Sequence, residues 1–379
     1  MSGTGVSSPR VALVSVGLGR IRRGFERYFS ELFNELKGQV DITLYKSAGE
    51  SGPREQVPPW LGLAQAAVKL LPLGDHVGGP QYKSDCAAMG LGLLPTILHE
   101  RFDIVHCIDP PLASVLLRLR KITGFRSRLL FTEGCATPPA FYPAVTHIHQ
   151  VAAVPLQVAI EHGVPPSFLT HIPCGMHSAR FTERLNRTEL RRKYGIAETT
   201  FVALAVSAVQ RTFKRVDYII EELSQVPGDV LLWIDGNPED RTLFDLAKGK
   251  LGERCRITHV PSSDVHEIYQ TADVLVHASL DEAFGLAVVE ALCSGLPVIA
   301  HDSPHFDWLT GSRDWLGDMR EPGRMAKLVE KARALDPESL REIGERGSAA
   351  TARRFDWRVV APDYIDLYRR VAAMEGQST

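Results

Sequence analysis

Five short apolar runs in the second half of this chain leave few folds open to it. Residues 201–207, 230–235, 274–277 and 297–300 are largely continuous apolar stretches and 255–260 an alternating one, all separated by segments of helical periodicity. Continuous runs, unlike alternating ones, belong to strands covered on both faces, and the intervening helices supply the cover. They predict a five-stranded parallel sheet, doubly wound. The first half repeats the theme. Residues 11–16 form an apolar run ending in Gly17-Leu18-Gly19, after which Phe25, Tyr28, Phe29, Leu32, Phe33 and Leu36 recur at helical spacing. Residues 40–45, 103–108, 128–132 and 145–151 read as further strands, and 47–60 and the Gly-rich 73–85 as loops. The fold class is therefore α/β with two Rossmann-like β/α/β domains, which a length of 379 residues accommodates.

Between the last two of those runs lies SLDEAFGLAVVEALCSGLPVIA, residues 279–300. Asp281 and Glu282 precede an apolar run from Leu286 to Cys293, and Gly295 follows it, so the stretch predicts loop, short helix, turn and strand. Glu290 stands inside a helix that is apolar nearly all round. A buried carboxylate needs a dedicated donor, either an Arg or Lys in a structural ion pair or a ligand. Glu282 falls at the helix N-terminus, where free N–H groups favour anions.

A second cluster, Gln210-Arg211-Thr212-Phe213-Lys214-Arg215, sits between the first strand and first helix of the second half. Three cations at a helix N-terminus oppose the helix dipole, and they suit a diphosphate held jointly by cations and N–H groups. In open parallel sheets ligands bind beyond the carboxyl ends of strands, which nominates His106, Asp109 and Glu133 in the first half. His147 and His149 share a strand face, yet no third ligand accompanies them, so no metal site is expected. The turn at Gly17-x-Gly19 lacks the third glycine of a dinucleotide fingerprint and gives little support to an NAD-dependent oxidoreductase.

The composition, 44% hydrophobic and 23% charged with net charge −2, is that of a globular protein and suggests no nucleic-acid partner. Six scattered cysteines without a Cys-x-x-Cys pair read as reduced thiols, which fits a cytoplasmic protein. Arg118, Arg120, Lys121, Arg126 and Arg128 form a basic stretch with two readings: a solvated helix face, or a peripheral contact with an anionic inner-membrane surface.

Two glutamates separated by seven residues, with Phe284-Gly285 after the first and Cys293-Ser294-Gly295-Leu296-Pro297-Val298-Ile299 behind the second, resemble the signature of the retaining GT-B glycosyltransferases (group 1, family 4-like). The resemblance covers nearly the whole chain and is strongest in the second half. Ile172-Pro173-Cys174-Gly175-Met176-His177 looks like that family's interdomain linker, with His177 where Asp is common. It implies two domains facing each other across a cleft: residues 1–178 with a returning helix at about 357–379 on the acceptor side, and 179–356 on the donor side. It also implies that Glu282 contacts the donor sugar and Glu290 the ribose, with Ala283, Phe284, Gly285, Leu286 and Val260 lining the donor site. Lys214 would hold the diphosphate together with Arg211, which replaces an arginine usually found a few residues earlier. Gly19, Arg22 and Gly24 would form the phosphate and acceptor loop. Ala283 replaces the usual Gly, and Glu133 stands where many relatives have His.

The activity implied is retaining transfer of a sugar from a nucleotide-diphosphate sugar to a hydroxyl of a glycan, lipid-linked or small-molecule acceptor. No Asp-x-Asp motif is present, and neither a metal nor a cofactor is expected. A GT-B sugar phosphorylase and a catalytically silent GT-B-like partner are the alternatives.

Overall fold

The structure is a computed structural model that describes residues 8–21, 24–69, 80–134 and 136–374. The chain divides into two compact units, Met1–Gly175 with Trp357–Thr379, and Met176–Asp356. The division falls three residues before the expected boundary after residue 178. Met176 belongs with the second unit because its N–H donates to the Phe355 carbonyl at 2.8 Å and it forms a parallel bridge with Asp356.

The first unit runs β1 (Arg10–Ser15), α1 (Gly24–Leu36), β2 (Asp41–Lys46), β3 (Glu55–Gln56), α2 (Leu61–Val68), α3 (Pro80–Glu100), β4 (Ile104–Cys107), α4 (Pro110–Thr123), β5 (Arg128–Glu133), β6 (His147–Gln150), α5 (Ala153–Glu161) and β7 (Leu169–His171). Its seven strands lie in the order β3-β2-β1-β4-β5-β6-β7, with every ladder parallel. Val11, Ala12, Leu13 and Val14 have no exposed surface, as a strand covered on both faces requires.

Residues 80–85, expected to belong to an irregular loop, instead open the 21-residue helix α3. Glycine and proline hid it from a periodicity argument, since Gly90, Gly92 and Pro95 all lie inside it. The two glycines serve close packing. A Cβ on Gly92 would come within 2.8 Å of the Leu61 backbone, and one on Gly90 within 2.6 Å of the Val115 side chain.

The second unit runs α6 (Ser178–Thr182), α7 (Arg187–Lys193), β8 (Phe201–Val206), α8 (Val216–Ser224), β9 (Val230–Asp235), α9 (Thr242–Leu251), β10 (Cys255–Thr258), α10 (Val265–Thr271), β11 (Val274–Val276), α11 (Leu286–Cys293), β12 (Val298–His301), α12 (Pro304–Thr310), β13 (Leu316–Gly317), α13 (Arg324–Arg333) and α14 (Pro337–Phe355). Its sheet has the order β10-β9-β8-β11-β12-β13, again all parallel. The sixth strand, β13, was not expected, because two residues are too few to carry a pattern.

The chain then returns to the first unit as α15 (Trp357–Ala373), which buries Trp357, Tyr364, Leu367 and Tyr368. Tyr364 and Tyr28 share a hydroxyl hydrogen bond of 2.7 Å. At the crossing point only glycine fits, since a Cβ on Gly175 would lie 2.3 Å from the Trp357 ring.

Candidate functional site

The second unit gathers its chemistry at the carboxyl ends of β8 and β11 and at the head of α11, where an open parallel sheet receives ligands. Gly285 is the N-cap of α11 at φ 94°, a left-handed conformation that glycine adopts without cost. It turns the chain so that Glu282 lies just ahead of the helix. The Lys214 ammonium donates to Glu282 Oε2 at 2.6 Å, and His277 Nε2 donates to the same oxygen at 3.1 Å. Burial opposes ionisation of Glu282, but the His277 hydrogen bond and the Lys214 charge outweigh it and hold the carboxyl well below the usual carboxylate range.

Lys214 reaches that position from a strained turn. Arg215 is the N-cap of α8 at φ 49°, unusual for a residue with a Cβ. Its guanidinium donates to the carbonyls of Met319 at 2.8 Å and Ala278 at 3.3 Å and stacks 4.6 Å from the Tyr218 ring centre. These contacts hold the turn that aims Lys214 at Glu282. Arg211 goes elsewhere. It donates to Asp240 at 3.0 Å and to Thr242 at 3.1 Å, and pairs with Asp217 at 3.7 Å.

Glu290 is 4% exposed and accepts a 2.9 Å hydrogen bond from the Tyr269 hydroxyl on α10. The donors predicted for this buried carboxylate therefore include a tyrosine, which the sequence argument did not consider. Ala283 and Phe284 are buried, with the Phe284 ring edge-on to Phe355 at 5.5 Å and its carbonyl accepting from His305 at 3.1 Å. Leu286 opens α11, whose first-turn N–H groups have no partner within the helix. The Val260 N–H donates to Asp235 Oδ1 at 2.9 Å, tying the segment after β10 to the end of β9.

In the first unit the nominated residues do not converge on one surface. His106 is fully buried within the sheet, bonded to Tyr368 at 2.9 Å and Thr132 at 2.6 Å. It cannot face an acceptor from there; its ring points into the layer that α15 covers. Asp109 sits at the strand end but accepts from the Val16 N–H at 3.1 Å and from the Tyr82 hydroxyl at 2.7 Å, so it staples β1 to β4. Burial pushes its carboxyl up, against those two bonds. Glu133 is 2% exposed and accepts from the Thr137 N–H at 3.1 Å. Gly19 has φ 87° and lies against the Ala48 carbonyl; Gly24 begins α1, and Arg22 falls outside the described residues.

His147 and His149 bond to Thr170 and to Thr132 with the Ile172 carbonyl, and no cluster of metal-ligating side chains exists among the described residues. In the basic stretch Arg128 donates to the Met374 carbonyl, while Arg118, Lys121 and Arg126 are exposed. No described helix is long and apolar enough to cross a membrane. His277 and Tyr269 were missed as site residues, and Arg215, counted among three cations for a diphosphate, holds the turn instead. His277 alone left a signal, an imidazole at a strand end five residues before Glu282.

The chain is similar in sequence and in fold to known proteins. The D-inositol 3-phosphate glycosyltransferase of Geodermatophilus obscurus is 28% identical over 236 residues, 57% of this chain and 50% of that protein, so the chain spans about half its length. Sucrose-phosphate synthase from Thermosynechococcus elongatus superposes with a TM-score of 0.80 at 18% identity, covering 96% of this chain and 99% of that one. The Anabaena HepE protein in complex with UDP-glucose gives 0.73 at 16% identity over 96% and 100%. Both share the two-domain GT-B fold. Residues 186–349, which carry Lys214, Glu282 and Glu290, match the model of "Glycosyl transferases group 1".

Proposed function

We propose that this protein is a glycosyltransferase that binds a nucleotide-diphosphate sugar on its second unit and transfers the sugar, with retention and without a metal ion, to an acceptor hydroxyl. The observation that carries the proposal is the Lys214–Glu282 pair at the head of α11, with Glu290 following on the same helix. Glu282, kept ionised by its two donors, accepts hydrogen bonds from sugar hydroxyls. Glu290, oriented by Tyr269, accepts from the ribose. Lys214 is close enough to exchange one anionic partner for another, the diphosphate in place of Glu282. The N–H groups of Phe284, Gly285 and Leu286 add donors to the same anion.

The bond between the sugar and the diphosphate oxygen breaks with its electron pair going to that oxygen. The acceptor hydroxyl attacks from the same face and gives up its proton to the departing diphosphate. Lys214 and the α11 amides stabilise the charge as it develops. Arg211 lies on the same loop and contributes once it leaves Asp240. Gly19, Gly24 and Arg22 are assigned to the phosphate and acceptor loop, and Asp109 and Glu133 to shaping the acceptor side. The donor assignment draws on the solved HepE complex, whose title names UDP-glucose.

The test is a thermal-shift panel of UDP, GDP, TDP, ADP, their common sugar conjugates, NADH, inorganic phosphate and sugar phosphates, run beside Glu290→Ala. A ligand that binds only the folded state raises the melting temperature as ln(1 + [L]/Kd). Stabilisation by one nucleoside diphosphate, lost in the variant, is expected. A response to inorganic phosphate and sugar phosphates alone would favour a phosphorylase, and no response at all a silent partner.

A further inference from the structure

The first unit contains a cavity of about 430 Å³ that has no part in the donor site. It lies at the β3–β2 side of the sheet, between the C-terminal part of α3 and the segment around residues 56–60. Arg10, Glu100 and Phe102 place it toward the amino ends of β1 and β4, whereas the Gly17–Gly19 turn leaves the carboxyl end of β1. Ligands of open α/β sheets gather at carboxyl ends, so this cavity is a separate feature of the unit.

Its lining is chemically specific. Trp60 stands at the lip with half of its surface exposed (51%), a flat apolar face that the fold leaves uncovered. Around it converge five uncharged polar side chains, Thr43, Tyr45, Gln56, Thr96 and His99. None of the five makes a side-chain hydrogen bond or ion pair to another described residue. They come from β2, β3 and α3, three elements separated in sequence. Tyr45 is buried, Thr43, Gln56 and Thr96 are half-buried and His99 is exposed, so their polar atoms face the opening and are available to a ligand. The charges at the cavity are already satisfied: Arg10 pairs with Glu100 at 2.7 Å and with Asp41 at 3.4 Å. An anion would therefore find no unpaired cation here.

We propose that this cavity is a noncatalytic binding site for a neutral saccharide, one to a few pyranose units of a glycan. The C–H face of a pyranose stacks on an aromatic ring, and its hydroxyls need several uncharged donors and acceptors around the rim. Trp60 supplies the first requirement, and the threonine, tyrosine, glutamine and histidine side chains the second. The volume lies in the range of small-molecule sites. The proposal does not depend on the donor-site assignment and concerns a different unit.

The experiment titrates the full-length protein with maltotriose, N,N′-diacetylchitobiose and mannotriose while following tryptophan emission. At least one of them is expected to give a saturable change that persists in Glu290→Ala and weakens at least about tenfold, near 1.4 kcal/mol, in Gln56→Ala. In Trp60→Ala the emission change disappears, and calorimetry with the same sugar shows the loss of binding. Because Trp60 is exposed, the variant should keep its circular dichroism and the wild-type thermal shift with nucleoside diphosphate. Silence from all three sugars overturns the proposal, as does binding that survives Trp60→Ala in calorimetry. Binding abolished by Glu290→Ala and kept by Trp60→Ala would place the sugar in the donor site instead.

Discussion

Lys214 Nζ and His277 Nε2 approach one oxygen of Glu282, at 2.6 Å and 3.1 Å, so two donors from different strand ends converge on a single acceptor. Because the folded carboxyl is depressed, the pair contributes stability above the unfolded value of about 4.3 and loses it as pH falls toward the folded value. Glu282→Gln should therefore lower the melting temperature at neutral pH, and the gap to wild type should narrow progressively as pH falls below about 4. A constant gap would mean that the charge is not what matters.

Tyr269→Phe removes the hydroxyl that donates to Glu290 and leaves a buried carboxylate short of a donor. A destabilisation of about 1–3 kcal/mol is expected, together with a smaller thermal shift from the nucleoside diphosphate. Chemical denaturation and the ligand panel check the two effects separately.

Arg215 allows a comparison of two substitutions. Both Arg215→Gly and Arg215→Ala delete the guanidinium contacts, but only glycine relieves the left-handed backbone. The alanine variant should be the less stable of the two by about 1–2 kcal/mol. Both should lose turnover more than donor binding, because Lys214 is no longer held in place; initial rates against donor concentration read the split between kcat and KM.

In the first unit, burial, reinforced by Arg370, lowers His147 to about 4, and burial lowers His149 to about 3. Histidines that stay neutral in the fold but protonate when unfolded contribute stability above about pH 6.5 and lose it as pH falls through that value toward the folded one. The melting temperature should accordingly drop between about pH 6.5 and pH 4, and the slope should be shallower in His147→Asn. An unchanged slope would move the effect to other groups.

EDTA should leave turnover intact, since cations and helix amides are proposed to carry the diphosphate charge. Activity lost on chelation and restored by Mg²⁺ would overturn that part of the mechanism.

The double winding and the helix that carries Glu290 were legible because both are local: apolar runs, acids before the helix with a glycine after it, and a carboxylate out of place among Ala, Val and Leu. What escaped depends on packing between distant segments. Tyr269 meets Glu290 only once α10 and α11 are side by side, and His277 is informative only when Lys214 is known to arrive from another strand end. The pairing of Arg211 with Asp240 was not legible either, because the two lie 29 residues apart. His106 was misplaced for a related reason. A histidine in a strand gives no sign of which layer will cover it, and here the cover comes from Tyr368, 262 residues further on. Helix α3 was lost to its own glycines, which break a pattern in sequence while permitting contact in space.

The return of α15 to the first unit also sets an order of events during synthesis. Residues 176–356 form an uninterrupted insertion, complete before the segment that finishes the first unit has been made. On the ribosome the second unit can close on itself while the first still lacks Trp357, Tyr364 and Tyr368. The first-unit interior, with His106 awaiting its tyrosine, is therefore the last part of the molecule to be sealed, and a chain stopped at Asp356 would carry a finished second unit beside an unfinished first.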